Sequence, residues 1–236
     1  MSKSIPRIDQ QVFRLFYREL LIEFRAKEQL TTMVIFALTT IIIFQFSFEM
    51  RTGNVKVLIP GVLWISVFFA SMLSLNRSFS RDQEENTSRG IASTPIDPLS
   101  IYISKVLTNT IFLCALEVIL LPIITVLLNS PILYINLIPV LLVGNIGVSA
   151  TGAIVAATVA NTKSRETLLP VILLPLLLPV LLGCITATGA IIDEQPINKY
   201  GHWVQIVAIY DIIFTFASGL LFHFACLLYT SPSPRD

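Results

Sequence analysis

The sequence predicts an all-α membrane protein with six transmembrane helices, preceded by one amphipathic helix near the N-terminus. Two observations support this prediction. Hydrophobic residues make up 54% of the 236 residues and charged residues only 13%, about half the charged share of an ordinary soluble domain. The apolar residues are also gathered into six long stretches, each near the roughly 20 residues that a helix needs to cross a bilayer. This composition excludes a soluble globular protein. It also excludes a disordered chain, because disordered chains are poor in apolar residues and rich in charge.

The six stretches define a transmembrane domain over residues 29–228, between a cytoplasmic N-terminal segment, 1–28, and a tail, 229–236. The predicted spans are 29–48, 57–75, 104–128, 132–160, 167–192 and 204–228. The fourth span is long enough to include a short outer turn before its helix begins. The first apolar stretch starts too far from the N-terminus for a cleaved signal peptide, so we expect the first helix to be retained.

The distribution of positive charge predicts that the N-terminus is cytoplasmic. With that orientation, thirteen of the sixteen Lys and Arg residues fall in inner segments, which is the excess that the positive-inside rule describes. Six spans then bring the C-terminus back to the same side. An odd number of spans would destroy the charge bias, so the two predictions support each other.

Residues 11–28 (QVFRLFYRELLIEFRAKE) predict a helix that lies on the membrane surface. At about 100° per residue, six apolar side chains share one face: Phe13, Phe16, Tyr17, Leu20, Leu21 and Phe24. Three arginines form an adjacent stripe: Arg14, Arg18 and Arg25. Glu19 and Glu23 form a second polar stripe. Such a helix is either an anchor held by apolar contacts and anionic lipid, or an elbow helix that moves with the membrane domain and contacts a cytoplasmic partner.

The longest polar stretch, residues 76–103, is predicted to be a cytoplasmic loop that contacts a partner. Charged residues of both signs are concentrated in its first half: Arg77, Arg81, Asp82, Glu84, Glu85 and Arg89. We interpret the stretch as a short amphipathic helix ending near Gly90, a turn, and the start of the third span. Asp97 suits the cap of that span and Pro98 its first turn. The alternative is a solvated loop whose local ion pairs contribute little energy.

Two ionisable residues fall inside predicted spans, Glu117 in the third and Asp211 in the sixth. Charged groups at membrane depth are costly and suggest a function by default. From the rise of about 1.5 Å per residue, both lie at similar levels in the outer half of the membrane, so they could face one polar cavity. The alternative is that each bonds to a neighbour and serves packing only.

The fourth and fifth spans have unusual compositions. Gly144, Gly152, Ala156 and Ala160 form a ridge of small residues, which permits close helix contact either inside the molecule or between two copies. The fifth span contains Pro170, Pro175 and Pro179, each of which removes a backbone donor and favours a kink. Such a helix is either statically bent or able to move.

Motifs for catalysis, metal binding or cofactor binding are absent from the sequence. It contains no GxxxxGKS or GxxxxGKT phosphate loop, no GxSxG, no HExxH and no CxxCH, and its three cysteines form no CxxC pair. We therefore predict no catalytic residue, no metal site and no directly bound cofactor. The net charge of +1 gives no indication of a nucleic-acid partner. Three classes remain: the membrane subunit of a transporter with a separate ATPase, a membrane-embedded enzyme, and an assembly subunit. The enzyme is disfavoured because no nucleophile–base cluster is present.

Four segments resemble the CcmB family, the permease-like subunits of the cytochrome c maturation ABC transporter. They are FYRELLIEFRAKEQL, LIPGVLWISVFFASMLSLNRSFSRDQEENTSRGIASTPIDPLSIYISK, LEVILLPIITVLLN and RETLLPVILLPLLLPVLLG. The resemblance runs over about 13–222 and keeps the order of all six spans. Glu117 and Asp211 fall in LEVILLP and YDIIF, which look like the family's LEL and FDxxF segments. The tail 229–236 does not resemble a family ending and is set aside as a candidate artefact.

This resemblance implies an ABC-2-type permease fold and a set of partners. These are a CcmA-like ATPase that would bind ATP, CcmC-like and CcmD-like membrane subunits, and the haem chaperone CcmE, with haem handled by the partners. The charged residues 77–89 would match the segment that couples to the ATPase. The location would be the bacterial inner membrane. The alternatives are an ABC-2-type permease that exports another substrate, or a non-transporting assembly subunit.

Overall fold

The computed structural model describes residues 8–26, 28–49, 55–84, 97–127, 134–160, 162 and 164–230, and this part of the chain is helical without strands. Its elements are α1 (Ile8–Ala26), α2 (Glu28–Glu49), a 3-10 helix (Val55–Leu58), α3 (Ile59–Glu84), α4 (Pro98–Leu127), α5 (Leu137–Val159), α6 (Arg165–Ile192) and α7 (Ile197–Thr230).

Six helices are long and apolar enough to cross a membrane, which confirms the six predicted spans. The spans are Gln29–Ser47, Lys56–Arg81, Pro98–Leu127, Leu137–Val159, Arg165–Ile192 and Ile197–Phe222. The predicted turn before the fourth helix is present, because α5 begins only at Leu137, after a turn at residues 135–136. The chain is a multi-pass membrane protein, and α1 is an additional helix before the first span.

The boundaries of α3 and α4 differ from the prediction. α3 continues past Leu75 to Glu84, because residues 76–84 contain neither proline nor glycine to interrupt the helix. The first charged residues of the polar stretch therefore extend a spanning helix, and they do not form a separate short helix. Gly90 lies outside the described residues. α4 begins at Pro98, and the Leu99 N–H donates to Asp97 Oδ1 at 2.9 Å, which confirms the predicted cap.

α5 is the central helix of the bundle, and its small residues serve internal contacts. It packs against α3, α4, α6 and α7. Gly144 faces the Trp64 ring and Cys184, Gly147 faces Asp211, and Gly152 faces Leu75. Because a side chain at these positions would overlap the neighbouring helices, the glycines allow close approach. The choice left open by the sequence is thus resolved in favour of contacts inside the molecule.

α6 remains one continuous helix through its three prolines. The Tyr210 hydroxyl donates to the Leu176 carbonyl at 2.7 Å, which ties α7 to this proline-containing stretch. α6 ends in a Schellman motif, in which the Gln195 N–H donates to Ala190 O and the Glu194 N–H donates to Ile191 O. Glu194 takes the left-handed position of this motif with a φ of 54°, although glycine is the usual residue there.

Candidate functional site

The acidic stripe of α1 binds the adjoining ends of α3 and α4. Glu23 accepts two hydrogen bonds from the Arg81 guanidinium, at 3.0 and 3.3 Å, and only 4% of the Glu23 side chain is exposed. In the amide orientation that satisfies both neighbours, Gln29 donates to Glu23 and accepts from Ser74 Oγ. The ion pair and the additional hydrogen bond offset the cost of removing this carboxylate from water. We refer to Glu23–Arg81 and Glu19–Lys105 as the α1 ion pairs.

The second of the α1 ion pairs joins the same helix to α4. Lys105 Nζ lies 2.9 Å from Glu19 Oε1, donates to Ser78 Oγ at 2.8 Å, and lies 5.2 Å from the centre of the Phe79 ring. The Lys105 side chain is 4% exposed, so this ion pair is largely withdrawn from solvent. The two pairs therefore connect α1, α3 and α4 at one end of the bundle.

The opposite side of α1 is apolar and has no covering element among the described residues. Phe13, Tyr17 and Leu21 are spaced at one helical turn and are 65%, 57% and 41% exposed, and the rings of Phe13 and Tyr17 are stacked. Arg14 and Arg18 are exposed beside them. α1 is thus amphipathic, with an acidic face on the bundle and an apolar face that points away from it.

The structure describes the side chains of two of the predicted coupling residues, Arg77 and Arg81. Arg81 points back to α1, and Arg77 is half-buried with contacts of its own. Asp82 and Glu84 lie in the last turn of α3, where side chains are not described, and the same holds for Arg25 in α1. Two more predicted residues, Glu85 and Arg89, lie outside the described residues. The sequence pattern marked the acidic stripe of α1, but it did not identify its basic partners.

Glu117 is buried between α4 and α5 against an asparagine. It is 3% exposed, and its Oε2 accepts from Asn145 Nδ2 at 2.8 Å. The same amide group lies 3.5 Å from Cys114 Sγ. Within the described part of the chain, Glu117 Oε1 and Asn145 Oδ1 have no hydrogen-bond partner. This is a buried polar pair with unused hydrogen-bonding capacity.

Asp211 is 6% exposed, near the middle of the span Ile197–Phe222, and packs against Gly147 of α5. Asn145 and Gly147 differ by about 3 Å along the helix axis and by about 200° around it. Glu117 and Asp211 therefore lie at similar levels but contact opposite sides of α5, whereas the sequence had left open that they could face one polar cavity. Asp211 Oδ1 has no hydrogen-bond partner among the described residues.

Two further polar contacts inside the bundle were not predicted. Asn109 Nδ2 lies 2.9 Å from both Ser71 Oγ and Ser149 Oγ, and so joins α4 to α3 and α5. Trp64 Nε1 donates to Thr188 Oγ1 at 2.9 Å and joins α3 to α6. A single asparagine or serine in an apolar stretch was the only indication available, and it does not reveal the partner.

No group of three His, Cys, Asp or Glu residues in the described ranges could hold a metal ion. Cys114 and Cys184 are free thiols. The described part of the chain therefore offers polar contacts between helices and an intramembrane carboxyl group, that of Asp211, whose Oδ1 has no hydrogen-bond partner.

Comparisons with known proteins give a consistent result. A family described as "CcmB protein" matches residues 10–226. "Heme exporter protein B" of Pseudomonas aeruginosa is 27% identical over 206 residues, covering 85% of this chain and 90% of the relative. The proteins of the same name from Rhodobacter capsulatus (33% identity, 52% of this chain, 56% of the relative) and Bradyrhizobium diazoefficiens (28%, 67% and 72%) also match. Because the family match spans most of the sequence, including all six membrane-spanning helices, the chain belongs to the CcmB family.

Proposed function

We propose that this chain is the non-catalytic membrane subunit of a haem exporter of the cytochrome c maturation type. In this proposal a separate CcmA-like ATPase binds ATP on the cytoplasmic side, and its cycle drives haem delivery and the release of a haem-loaded CcmE-like chaperone on the other side. The family match and the shared name of the relatives support this class of function. The proposal places the chain in the bacterial inner membrane with CcmC-like and CcmD-like subunits.

The observation that supports mechanical coupling is the pair of ion bridges between α1, α3 and α4. The polar residues 85–96 connect α3 to α4, so a partner that moves this connection acts on both helix ends. Because Glu23 binds Arg81 of α3 and Glu19 binds Lys105 of α4, α1 moves with the ends of these two helices. The three helix ends form one mechanical unit. Neither ATP nor haem needs to bind this chain for such a movement to be transmitted.

In this mechanism, Arg81 acts as a positioning residue. Its guanidinium is occupied by Glu23, so its contribution is to hold α1 in place. The charged side chains that remain for contact with the ATPase are those that follow Arg81 in the sequence, including Glu85 and Arg89. The orientation inferred from the Lys and Arg distribution puts them on the cytoplasmic side.

Co-purification from membranes tests the proposal. A tagged chain should retain an ATPase and a haem-binding partner, and the variant Glu85→Arg should lose most of the ATPase. Lys199→Glu is the matched control, because this exposed charge lies at the opposite end of the bundle, in the first turn of α7. Undiminished ATPase retention and chaperone release in the Glu85 variant would show that the docking site is misplaced. An epitope near residue 86 that is accessible from the periplasm would contradict the orientation itself.

A further inference from the structure

The contact between Glu117 of α4 and Asn145 of α5 makes only one of the two hydrogen bonds that its groups allow. Both residues lie inside membrane spans and are almost completely buried, with 3% and 0% of their surfaces exposed. Asn145 Nδ2 donates to Glu117 Oε2 at 2.8 Å. The other two oxygens of the pair, Glu117 Oε1 and Asn145 Oδ1, have no hydrogen-bond partner among the described residues.

No basic side chain of α4 or α5 balances a negative charge on Glu117. α5 contains no ionisable residue. The basic residue of α4 is Lys105, which is paired with Glu19 and lies about 18 Å away along the helix axis. The titratable groups that interact electrostatically with Glu117 are the thiols of Cys114 and Cys184, which carry no positive charge.

The other helices that pack against α4 bring no cation to this level in the parts that the structure describes. α2 contains no basic residue, and the basic residues of α1 and α3 belong to the end of the bundle that carries the α1 ion pairs. Those of α7 lie near its two ends, and its central Asp211 contacts the opposite side of α5. A charge without a partner is costly at this depth, and a carboxyl group in such a place takes up a proton instead.

A proton on Glu117 Oε1 removes the charge and also supplies the missing donor. A protonated carboxyl group has one O–H donor, and the side-chain oxygen of asparagine is an acceptor. The Glu117 hydroxyl then donates to Asn145 Oδ1 while Asn145 Nδ2 donates to Glu117 Oε2, so that both remaining oxygens are paired. The terminal torsions of glutamate and asparagine are soft, so closing this ring requires no movement of either helix. A water molecule bridging the same two oxygens would leave the negative charge in place.

We propose that Glu117 is a proton-binding site, and that its neutral carboxyl group and the Asn145 amide form a two-bond pair that holds α4 against α5. When the carboxyl group gives its proton to solvent, the pair loses one hydrogen bond and an unpaired charge remains between the helices. Deprotonation therefore weakens the contact, and the pair acts as a proton-dependent lock between α4 and α5. This proposal does not depend on the proposed function.

Infrared difference spectroscopy of the whole chain in lipid membranes tests the protonation state. At neutral pH, the spectrum of the parent minus that of Glu117→Gln should contain the carbonyl band of a protonated carboxyl group. This band should shift when the glutamates carry an isotope label in the side-chain carboxyl group. Asp211→Asn is the matched control, because it removes another buried carboxyl group of the membrane spans and should leave the band in place.

A second pair of variants tests whether Asn145 is the partner of the protonated carboxyl group. Asn145→Leu removes both hydrogen bonds, so the band should move to the higher frequency of a free carboxyl group. Ser149→Ala is the control, because Ser149 lies one turn away on α5 and contacts Asn109, and its loss should not shift the band.

Unfolding in detergent tests whether the folded state binds the proton, and it also decides if Asn145→Leu does not accumulate. If Glu117 is protonated in the folded chain and ionised in the unfolded chain, the folded state binds one more proton. The equilibrium constant for unfolding should then rise about tenfold per pH unit above about pH 5, relative to Glu117→Gln, until the folded chain also releases the proton. The glutamine amide donates to Asn145 Oδ1 in place of the proton, so position 117 of that variant contributes no pH dependence.

Three results would overturn the proposal. A difference spectrum that contains only bands of an ionised carboxylate would show that Glu117 is charged in the folded chain. A protonated band that Asn145→Leu leaves at the same frequency would show that Asn145 is not the partner. The same pH dependence of unfolding in the parent and in Glu117→Gln would show that folding binds no proton at this site. None of these measurements involves the ATPase, so their failure leaves the proposed function untouched.

Discussion

Exchanging the charges of Glu23 and Arg81 distinguishes a positioning role of Arg81 from direct contact with an ATPase. Three variants are needed: Arg81→Glu, Glu23→Arg, and the two changes together. Each single change opposes two like charges at a site where the Glu23 side chain is 4% exposed and the Arg81 side chain 21% exposed. The double variant restores opposite charges at the same distance between helices.

The expected magnitude follows from the burial of the pair. Leaving one partner of a buried ion pair without its counter-charge costs roughly 3–5 kcal/mol. Because Arg81 keeps some solvent contact, we expect about 3 kcal/mol for each single change, which lowers the unfolding temperature by about 6–12 °C in a chain of this size. Residues in direct contact show coupling energies of about 0.5–3 kcal/mol, so the double variant should be more stable than the sum of the two single changes predicts, by up to about 3 kcal/mol.

The assay combines thermal unfolding in detergent with ATPase retention on the tagged chain. Arg14→Glu is the control, because Arg14 is an exposed arginine on the same helix and should change the free energy of unfolding by no more than about 0.5 kcal/mol. Two outcomes refute the reasoning. If the double variant is as unstable as the sum of the single changes, the pair does not stabilise the fold. If it regains stability but not ATPase retention, Arg81 contacts the ATPase directly.

Three more substitutions follow from the packing. Gly144→Ala would place a methyl group 2.8 Å from Cys184 Sγ and against the Trp64 ring, so it should lower the free energy of unfolding by about 1–3 kcal/mol. Gly61→Ala is the control, because no atom lies within 4 Å of the new carbon and the free energy of unfolding should not fall. Equal losses of stability for the two variants in thermal unfolding would contradict this prediction. Glu194→Gly relieves a φ of 54° and should raise stability by about 1 kcal/mol, whereas an unchanged unfolding temperature would argue against strain in this turn. Glu117→Gln preserves an acceptor for Asn145 and should unfold like the parent, while Glu117→Leu leaves that amide unpaired at a cost of about 1–3 kcal/mol; equal stability of the two variants would show that the hydrogen bond contributes nothing.

Features that depend on one stretch of sequence were predictable. The six spans follow from apolar length alone, and the start of α4 follows from Asp97 and Pro98 because capping is a local property of the backbone. The end of α3 was placed too early, since charged residues were taken as the end of the helix. Charge does not terminate a helix when no proline, glycine or competing cap is present.

Features that depend on helix rotation and long-range pairing were not predictable. Glu23 and Arg81 are 58 residues apart, and many other acid–base combinations were equally compatible with the sequence. The depth of Glu117 and Asp211 could be calculated from the helix rise, but their direction around α5 depends on how three helices pack. Rotating a helix by half a turn about its axis decides whether two carboxyl groups share a cavity. The apolar periodicity of a buried helix carries too little information to determine this rotation.

The packing of Gly147 against Asp211 links the evolutionary histories of these two positions. The space beside the α5 backbone is sufficient for one side chain only, and the carboxyl group occupies it. A relative that acquired a larger residue at the position of Gly147 would therefore need a smaller one at the position of Asp211. Among family members, substitutions at the two sites should accordingly occur together, with residue volume exchanged from one helix to the other.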